Sequence, residues 1–365
     1  MSASCRSTPC RFETYSGSQS TIPCGLDRGN APFARLTMPA TASHVPDSSR
    51  PISVVIPARN EERHIREVIE ALVSQAVDAI ELEVIVVDDG SMDRTRTIAA
   101  EAGATVMSVT KPGDSGNPGR ARNRGAAASR GDPIVFLDAD CIVAKDWLAG
   151  LLAAHARGAA VVGGSLALPA GLAAIARCDY YCGWYLIHPR APAGWVPHHP
   201  PPNLSVRRAA FLSTSGFASD PPLAYSNEER GWQGQLLAAG HRIYFEPRAI
   251  AFHHNRPGFM NLLRRHYRWG YGSIESKSRS RAARLAWLYD HPWALIALSP
   301  VLVVAHTAFI LICWGRARVY EPIAMLPLVL VSRVAYVAGM VVGAMRWLAV
   351  GSAHSPSSRP RPRWW

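Results

Sequence analysis

Ile134-Val135-Phe136-Leu137-Asp138-Ala139-Asp140 is an apolar run that ends in two carboxylates one residue apart. The run has the character of a buried strand, so Asp138 and Asp140 are expected at its carboxyl end, where open α/β sheets bind ligands. Two carboxylates that face one crevice repel each other unless a cation lies between them. Their oxygens suit a hard divalent ion such as Mg²⁺ or Mn²⁺, which in turn suits a diphosphate. Because such triplets also occur by chance, the flanking sequence has to support this interpretation.

Strand and helix patterns alternate on both sides of this run. β-branched stretches predict strands at Ile52–Pro57, Val84–Val87 and Thr105–Val109, and residues at helical spacing follow them. Later strands are predicted at 160–164, 203–207, 243–245 and 249–253, and a helix at 226–240. The alternation predicts a doubly wound, mostly parallel α/β sheet. The first turn lacks G-x-G-x-x-G and the sequence contains no P-loop, which disfavours dinucleotide oxidoreductases and P-loop kinases.

The composition favours a polyanionic partner at a membrane surface. The chain has 365 residues and a net charge of +12. Much of the basic excess lies between Arg256 and Arg284 and after Ser358, beside two apolar segments. No nucleic-acid-binding module is recognisable, so no nucleic-acid partner is predicted. Seven cysteines without a repeating spacing argue against a disulfide framework and for a reducing compartment.

Two C-terminal segments, Trp293–Trp314 and Ile323–Leu348, are each long enough to span a bilayer, for which about 20 residues suffice. Basic residues cluster before the first segment and after the second, which predicts a multi-pass hairpin with both ends, and the catalytic domain, in the cytoplasm. The preceding stretch, 258–275, mixes aromatic and basic residues as interfacial helices do. The alternative is a pair of buried helices in a soluble domain.

The chain therefore divides into five predicted regions. They are a disordered leader (1–50), an α/β catalytic domain (51–256), interfacial basic and aromatic helices (257–290), a transmembrane hairpin (291–350) and a basic disordered tail (351–365). Met38 is an alternative start, because a short polar approach to the first strand begins there.

Four blocks of sequence, in this order, resemble the family 2 glycosyltransferases of GT-A fold. The blocks are Val54–Glu62, Val86–Thr95, Ala121–Gly125 and Phe136–Asp140. Matching positions continue at Asn203, Gly216-Phe217, Glu228-Glu229, Gly240 and Arg268-Trp269, so the resemblance covers roughly residues 50–273. It implies a metal-dependent transferase of the hexosyltransferase type that takes a sugar from a nucleotide diphosphate donor.

The resemblance also implies a nucleotide pocket at the ends of the first two strands. The backbone at Pro57 and Ala58, together with Glu61, would form its edge. Either Asp88 or Asp89 would accept a hydrogen bond from the ring NH of the base, while its neighbour caps the turn. Both acids as turn caps alone remain the alternative.

The metal and the diphosphate would lie next to this pocket. By the resemblance, Asp140 would be the direct metal ligand, and Asp138 would contact the ribose or share the metal. His253, much later in the chain, would be a third ligand of the metal, although His254 beside it leaves the choice open. Arg122 would lie by the nucleotide or diphosphate, with a solvated helix face as the alternative.

An inverting sugar transfer needs a base for the acceptor and an electrophile for the departing diphosphate. The Glu-Asp pair that supplies the base in this family aligns with Glu228 and Glu229, and Glu229 is the expected base. A Glu in place of Asp moves that carboxylate by about one C–C bond. Gln235 stands where relatives often have Arg, five residues before Gly240.

Processive synthases of the family carry Gln-x-x-Arg-Trp, and this chain keeps only its Arg268-Trp269 end. Arg265, Arg268 and Trp269 would contact the diphosphate or the acceptor, unless the arginines face lipid phosphates instead. Together these features predict transfer of one sugar from a UDP-sugar to a lipid-linked or lipid-like acceptor at the cytoplasmic face of the cell membrane. A processive glycan synthase and a catalytically weak membrane scaffold are the alternatives.

Overall fold

A computed structural model describes residues 50–75, 81–114, 116–219, 228–279, 286–289 and 291–353. The predicted leader up to residue 49, the alternative start at Met38 and the predicted tail from residue 354 lie outside these residues. The predicted start of a helix at 226 and 227 also lies outside them.

The α/β part of the described chain contains nine strands and seven helices. In chain order they are β1 (Ile52–Ala58), α1 (Ile65–Val73), β2 (Leu82–Asp89), α2 (Thr95–Glu101), β3 (Thr105–Thr110), α3 (Pro118–Ala128), β4 (Ile134–Leu137), β5 (Cys141–Val143), α4 (Trp147–Ala156), β6 (Val161–Ala167), α5 (Ala174–Gly183), β7 (Gly194–Val196), β8 (Asn203–Val206), α6 (Arg208–Leu212), α7 (Glu228–Ala238) and β9 (Ile243–His253).

The strands form one sheet in the order β3-β2-β1-β4-β8-β6-β9-β5, and β7 also pairs with β9. Strands β3, β2, β1 and β4 are parallel, so the carboxyl ends of β1, β2 and β4 meet at one edge. The predicted doubly wound α/β sheet is confirmed. Beyond β4 the pairing is mixed, because β8 runs antiparallel to β4 and β6 while β6 runs parallel to β9.

The prediction of two separate closing strands was wrong, because β9 continues through Pro247. A proline removes one ladder donor, which is why the sequence indicated a break. Strand β9 accommodates it by a bulge, since Gly164 of β6 pairs with Glu246 and the next residue, Ser165, pairs with Ile250. The Ser165 hydroxyl then donates to the carbonyl oxygen of Pro247 at 2.8 Å.

Strand β4 shows why a continuous apolar run forms the centre of this sheet. Val135 and Leu137 pack into the core on one face, and Ile134 and Phe136 pack into the core on the other. All four are fully buried, and each contributes about 1.5–3 kcal/mol to the stability of the fold. Because helices cover both faces of the strand, the next polar residue, Asp138, has to lie at the open edge.

Five helices follow the sheet: α8 (Phe259–Arg279), α9 (Ala286–Tyr289), α10 (Pro292–Arg316), α11 (Glu321–Ala324) and α12 (Leu326–Ala353). Helices α10 and α12 are long and apolar enough to cross a membrane. The second predicted segment begins three residues early, because Ile323 belongs to the separate helix α11. Pro327 lies in the first turn of α12, a position that suits proline.

Helix α8 packs against α12 with the two backbones in direct contact. A Cβ atom on Gly270 would overlap the carbonyl oxygen of Tyr336, and one on Gly339 would overlap that of Tyr267. At Gly343 an added Cβ would lie 2.6 Å from the carbonyl oxygen of Tyr271. The helix predicted to lie in the membrane interface is thus fastened along the second apolar helix.

Candidate active site

A cavity of about 910 Å³ opens at the edge where β1, β2 and β4 end. Its wall continues from these strand ends to α7, β9 and α8, and then to α10 and α12. Cavities that bind small molecules commonly have volumes of about 300–1,000 Å³. Every predicted site residue lines this cavity except Asp88.

The loop after β1 is held by the loop after β2. Asn60 adopts a left-handed conformation (φ 54°), and its backbone N–H donates to the Ser91 hydroxyl at 3.0 Å. The Asn60 side-chain oxygen accepts from the backbone N–H of Met92 at 2.9 Å. The backbone N–H of Glu61 donates to the Thr95 hydroxyl at 2.8 Å. These bonds fix Pro57 and the residues after it as one edge of the cavity.

The two acids at the end of β2 face different ways. Asp88 is fully buried, and its carboxylate accepts from the backbone N–H of Ser91 at 3.2 Å, as a turn cap does. The Asp89 carboxylate lines the cavity and accepts from the Thr110 hydroxyl at 2.5 Å. Of the predicted pair, Asp89 is therefore the acid that a nucleotide in this cavity would meet.

Arg122 lies in the wall of the cavity between two acids. Its guanidinium donates to Asp138 Oδ1 at 2.7 Å and to Glu228 Oε1 at 2.6 Å, and only 4% of its side chain is exposed. Burial opposes the positive charge, but the two carboxylates outweigh burial and raise the pKa of Arg122. The alternative of a solvated helix face does not hold for this residue.

Asp140 and His253 converge because β5 pairs with the end of β9, which places Cys141 opposite His253. The Asp140 Oδ1 atom lies 3.7 Å from His253 Nε2, and the ligand atoms of Asp140, Cys141 and His253 are all within 4.8 Å of one another. Burial raises the pKa of the Cys141 thiol. Sulfur is also a softer ligand than Mg²⁺ or Mn²⁺ prefers, so Cys141 is the least suitable of the three. A carboxylate oxygen is the type of ligand that Mn²⁺ and Mg²⁺ prefer, and the imidazole nitrogen of His253 is a second donor beside it.

The structure also separates the two neighbouring histidines. The Nδ1 atom of His253 lies 3.0 Å from Asn255 Oδ1, so its Nε2 atom faces Asp140. His254 instead packs its ring against His64, with the ring centroids 4.8 Å apart. His253 is therefore the histidine that a metal beside Asp140 would meet.

Glu61 lies close to the predicted metal site and is mostly buried. Burial and the negative charge of Asp140 raise the pKa of the Glu61 carboxyl to about 7. Arg256 donates a short hydrogen bond to Glu61 and opposes this rise. Sequence reasoning missed Arg256, which lies three residues beyond His253 in the chain.

The predicted base, Glu229, lies in the first turn of α7 and is buried. Its Oε1 atom lies 2.8 Å from the Nε2 atom of His198. Burial opposes ionisation of Glu229, but the hydrogen bond and charge of His198 outweigh burial and lower the pKa of this carboxyl. Glu228 differs, because burial raises its pKa although Arg122 opposes the rise.

Sequence reasoning did not assign His198 to the site. It precedes the Pro200-Pro201-Pro202 run, whose last carbonyl oxygen accepts from the backbone N–H of Asp138 at 3.2 Å. The proline run beside a predicted strand end is the sequence feature that could have indicated that His198 lies at the site. Gln235, which stands where relatives often have Arg, accepts from the backbone N–H of Ser215 at 2.9 Å.

Helix α8 supplies the wall opposite the strand ends. Arg265 donates to the buried Asp179 at 2.7 Å, while the Trp269 ring packs against Trp184, with centroids 5.7 Å apart. The Trp184 ring in turn packs against His253 at 5.2 Å. The predicted basic and aromatic residues of α8 are thus connected to the metal side of the cavity.

Three comparisons place the chain among known proteins. The model of the family described as Glycosyl transferase family 2 matches residues 53–211. The chain is 30% identical over 257 residues to glycosyltransferase AglE of Haloferax volcanii. The aligned region covers 68% of this chain and 81% of AglE. It is 26% identical over 374 aligned positions to the pre-mycofactocin glycosyltransferase of Mycobacterium tuberculosis, covering 88% and 77% of the two chains.

The fold is similar to that of the mannosyltransferase PcManGT from Pyrobaculum calidifontis, solved in complex with GDP-Man and Mn²⁺. The TM-score is 0.52 at 18% sequence identity, over 82% of this chain and 89% of the other. This similarity extends past the sheet and indicates that the same architecture occurs in both chains.

Proposed function

The chain belongs to glycosyltransferase family 2, and on that premise we propose that it transfers one sugar, with inversion, from a UDP-sugar to a lipid-linked or lipid-like acceptor at the cytoplasmic face of a membrane. One observation carries the proposal. A single cavity is lined both by the carboxylates at the strand ends and by residues of the two long apolar helices.

The donor would bind at the strand-end side of the cavity. Asp89 is the acid available to the base, and the loop from Pro57 to Glu61 forms the edge beside it. Asp140 and His253 would hold an Mg²⁺ or Mn²⁺ ion, whose charge offsets that of the departing diphosphate when it is bound. Asp138, fixed by Arg122, would lie beside the ribose or share the ion.

Glu229 would accept the proton of the acceptor hydroxyl. The acceptor oxygen then forms a bond to the anomeric carbon on the face opposite the nucleotide, and the bond from that carbon to the diphosphate breaks. His198 keeps Glu229 ionised, as a base must be before it accepts a proton. Since Glu228 is paired with Arg122, Glu229 is the better candidate of the two.

The membrane assignment rests on α10, α12 and the helix packed against them. In α10 only 17% of the most apolar window is buried, and Trp293 and Val304 expose 81% and 64% of their surfaces. A soluble domain rarely leaves such a helix uncovered, whereas a bilayer would cover it. An acceptor that reaches the cavity past these helices would be a lipid or would be linked to one.

The test is transfer of radiolabelled sugar into organic-extractable product, with membranes that contain the full chain and a panel of UDP-sugars and GDP-mannose. We expect product from a UDP-sugar with the wild type, and none with Asp140→Ala. Asp146→Ala is a matched control, because Asp146 is an exposed acid outside the cavity. Absence of product with every donor, or full activity of Asp140→Ala, contradicts the proposal.

Two further measurements separate the alternatives. A processive synthase would give products of many lengths on a gel, whereas a single transfer gives one product. A scaffold with a decayed site would bind neither UDP nor Mn²⁺ in calorimetry, whereas the proposed enzyme binds both.

A further inference from the structure

Helix α12 carries an arginine that an anchoring role does not explain. Arg333 lies in the apolar part of the helix, only 2% of its surface is exposed, and it lines the cavity. A cation within a membrane-spanning segment is costly and usually faces a polar partner or pathway. Arg346, the second arginine of the same helix, is exposed instead. The position of Arg333 therefore calls for a partner inside the cavity.

The protein partners of Arg333 are neutral. Its guanidinium donates to His266 Nδ1 at 2.6 Å and to the Ser332 hydroxyl at 3.2 Å, and it lies 5.3 Å from the centre of the Tyr336 ring. Among the residues that the structure describes, no carboxylate forms an ion pair with Arg333. The nearest acid in this network, Asp179, is reached only through His266.

His266 is held in one neutral form by its two neighbours. A guanidinium can only donate, so His266 Nδ1 accepts, and Nε2 carries the proton and faces Asp179 Oδ1 at 3.1 Å. Burial and the charge of Arg333 lower the pKa of His266 to about 4. Asp179 already pairs with Arg265 at 2.7 Å. Two guanidinium charges thus face a single carboxylate, which leaves this wall of the cavity positive.

Other polar groups, from the two apolar helices and from the segment after α5, lie at the same wall. The Tyr185 hydroxyl lies 3.3 Å from His306 Nε2, and the rings of His306 and Tyr336 are 5.2 Å apart. We call Tyr185, His306, Arg333 and Tyr336 the hairpin cluster. All four line the cavity. The cluster combines one positive charge with hydroxyl and imidazole groups, which are chemically able to hydrogen-bond an anionic oxygen.

We propose that the hairpin cluster binds the phosphate group of an amphiphilic acceptor, with Arg333 as its principal charge. A guanidinium and a phosphate form strong, charge-assisted hydrogen bonds, and the surrounding apolar helices suit the hydrocarbon part of such a molecule. The donor diphosphate is a less suitable ligand for the hairpin cluster, since its proposed binding site is at the Asp140 and His253 side of the cavity. The inference rests on the proposed function, because it specifies the acceptor of that same cavity.

The test is equilibrium binding by the purified full chain in detergent, with three probes: geranyl phosphate, inorganic phosphate, and UDP with Mn²⁺. We expect Arg333→Gln to weaken geranyl phosphate binding at least tenfold and to leave UDP binding unchanged. Arg346→Gln is the matched control, because it removes the same charge from an exposed position of the same helix. We expect it to bind all three probes as the wild type does.

Several results would overturn the assignment. One is failure of the wild type to bind geranyl phosphate, and another is Arg333→Gln binding it as tightly as the wild type does. A third is a loss of UDP binding in Arg333→Gln as large as its loss of geranyl phosphate binding, which would assign Arg333 to the donor. Inorganic phosphate bound as tightly as geranyl phosphate would show a site for free phosphate. If Arg333→Gln does not fold, His306→Gln replaces it, with a smaller expected loss of geranyl phosphate binding, because Arg333 remains; unchanged binding in that variant overturns the assignment. Sugar transfer and UDP binding that persist without geranyl phosphate binding would refute this inference alone, and leave the proposed function standing.

Discussion

The imidazole of His198 and the carboxylate of Glu229 are hydrogen-bonded at 2.8 Å, in a contact between an irregular segment and the start of α7. Only 6% of the Glu229 side chain is exposed, and the hydrogen bond and charge of His198 offset the burial that would otherwise raise the pKa of this acid. If Glu229 is the base, the contact controls the pH range in which the enzyme works.

The first prediction follows from this pair. Glu229→Gln should lower kcat by about 10²–10⁴-fold, the usual contribution of a general base. His198→Gln should lower kcat less, and should move the acid limb of the kcat profile to higher pH, because the group that lowers the pKa of Glu229 is gone. The measurement is kcat from pH 5 to 9. His241→Gln, at the turn after α7, is the control, and an unshifted limb in His198→Gln contradicts the role.

The second prediction concerns the metal. His253→Ala should raise the half-saturating Mn²⁺ concentration at least tenfold, about 1.4 kcal/mol, because one ligand is lost. Asp140→Ala should abolish binding, and chelation of the metal should abolish activity until Mn²⁺ is returned. Calorimetry of Mn²⁺ with UDP present measures the affinities. Cys141→Ser should bind Mn²⁺ normally, since Mn²⁺ prefers oxygen ligands to sulfur. A loss in Cys141→Ser equal to that in His253→Ala would make Cys141 a ligand.

The third prediction concerns stability. Arg122→Gln leaves Asp138 and Glu228 without their common partner, and removal of one member from a buried ion pair typically costs about 3–5 kcal/mol. The free energy of unfolding should fall by about that amount, and UDP binding should weaken. Arg124→Gln, on the exposed face of α3, should change stability by no more than about 0.5 kcal/mol. Equal stabilities of the two variants in denaturant unfolding would refute the structural role of Arg122.

The fourth prediction concerns pH and stability. His155 is buried, and its ring nitrogens lie 2.7 Å from the Ala159 carbonyl oxygen and 2.7 Å from the Ser205 hydroxyl. Burial lowers its pKa to about 3. Because the unfolded chain takes up this proton near pH 6.5 and the folded chain does not, stability is complete above pH 6.5 and falls as the pH falls toward 3.

The free energy of unfolding in detergent should therefore decline as the pH is lowered from 6.5 to 4, by up to about 1.4 kcal/mol per pH unit for each such group, and the Tm should fall with it. His155→Gln should be less stable at pH 7, since it loses a buried hydrogen bond, but its Tm should fall less steeply with acid. His241→Gln should keep the wild-type slope. Identical slopes in His155→Gln and the wild type would show that His155 does not titrate in this way.

The parts of the fold that sequence predicted are those specified by short stretches of chain. The alternate burial of Ile134–Leu137 on two faces is a property of four adjacent residues, and the acids after them follow at fixed spacing. The same holds for the apolar lengths of α10 and α12. The family resemblance then predicted that residues as far apart in the chain as Asp89 and Trp269 belong to one site, and both line the same cavity.

The remainder depends on contacts between distant parts of the chain. His198 meets Glu229 because the proline run is tied to the end of β4, and Arg333 meets His266 because α12 packs along α8. Neither pair has a local pattern. Residues of the predicted anchor were not expected at the cavity, because hydropathy describes how a helix meets lipid and not which side chain turns inward.

The backbone contact between α8 and α12 limits how this chain can change in evolution. At Gly270 and Gly339 the obstacle to a larger residue is a main-chain carbonyl, which no change of rotamer can move aside. A substitution at either position alone would displace α12 and draw Arg333 away from His266. Among homologues that keep an arginine at position 333, these two glycines should therefore be retained together or be replaced together. A comparison of natural sequences would reveal this covariation.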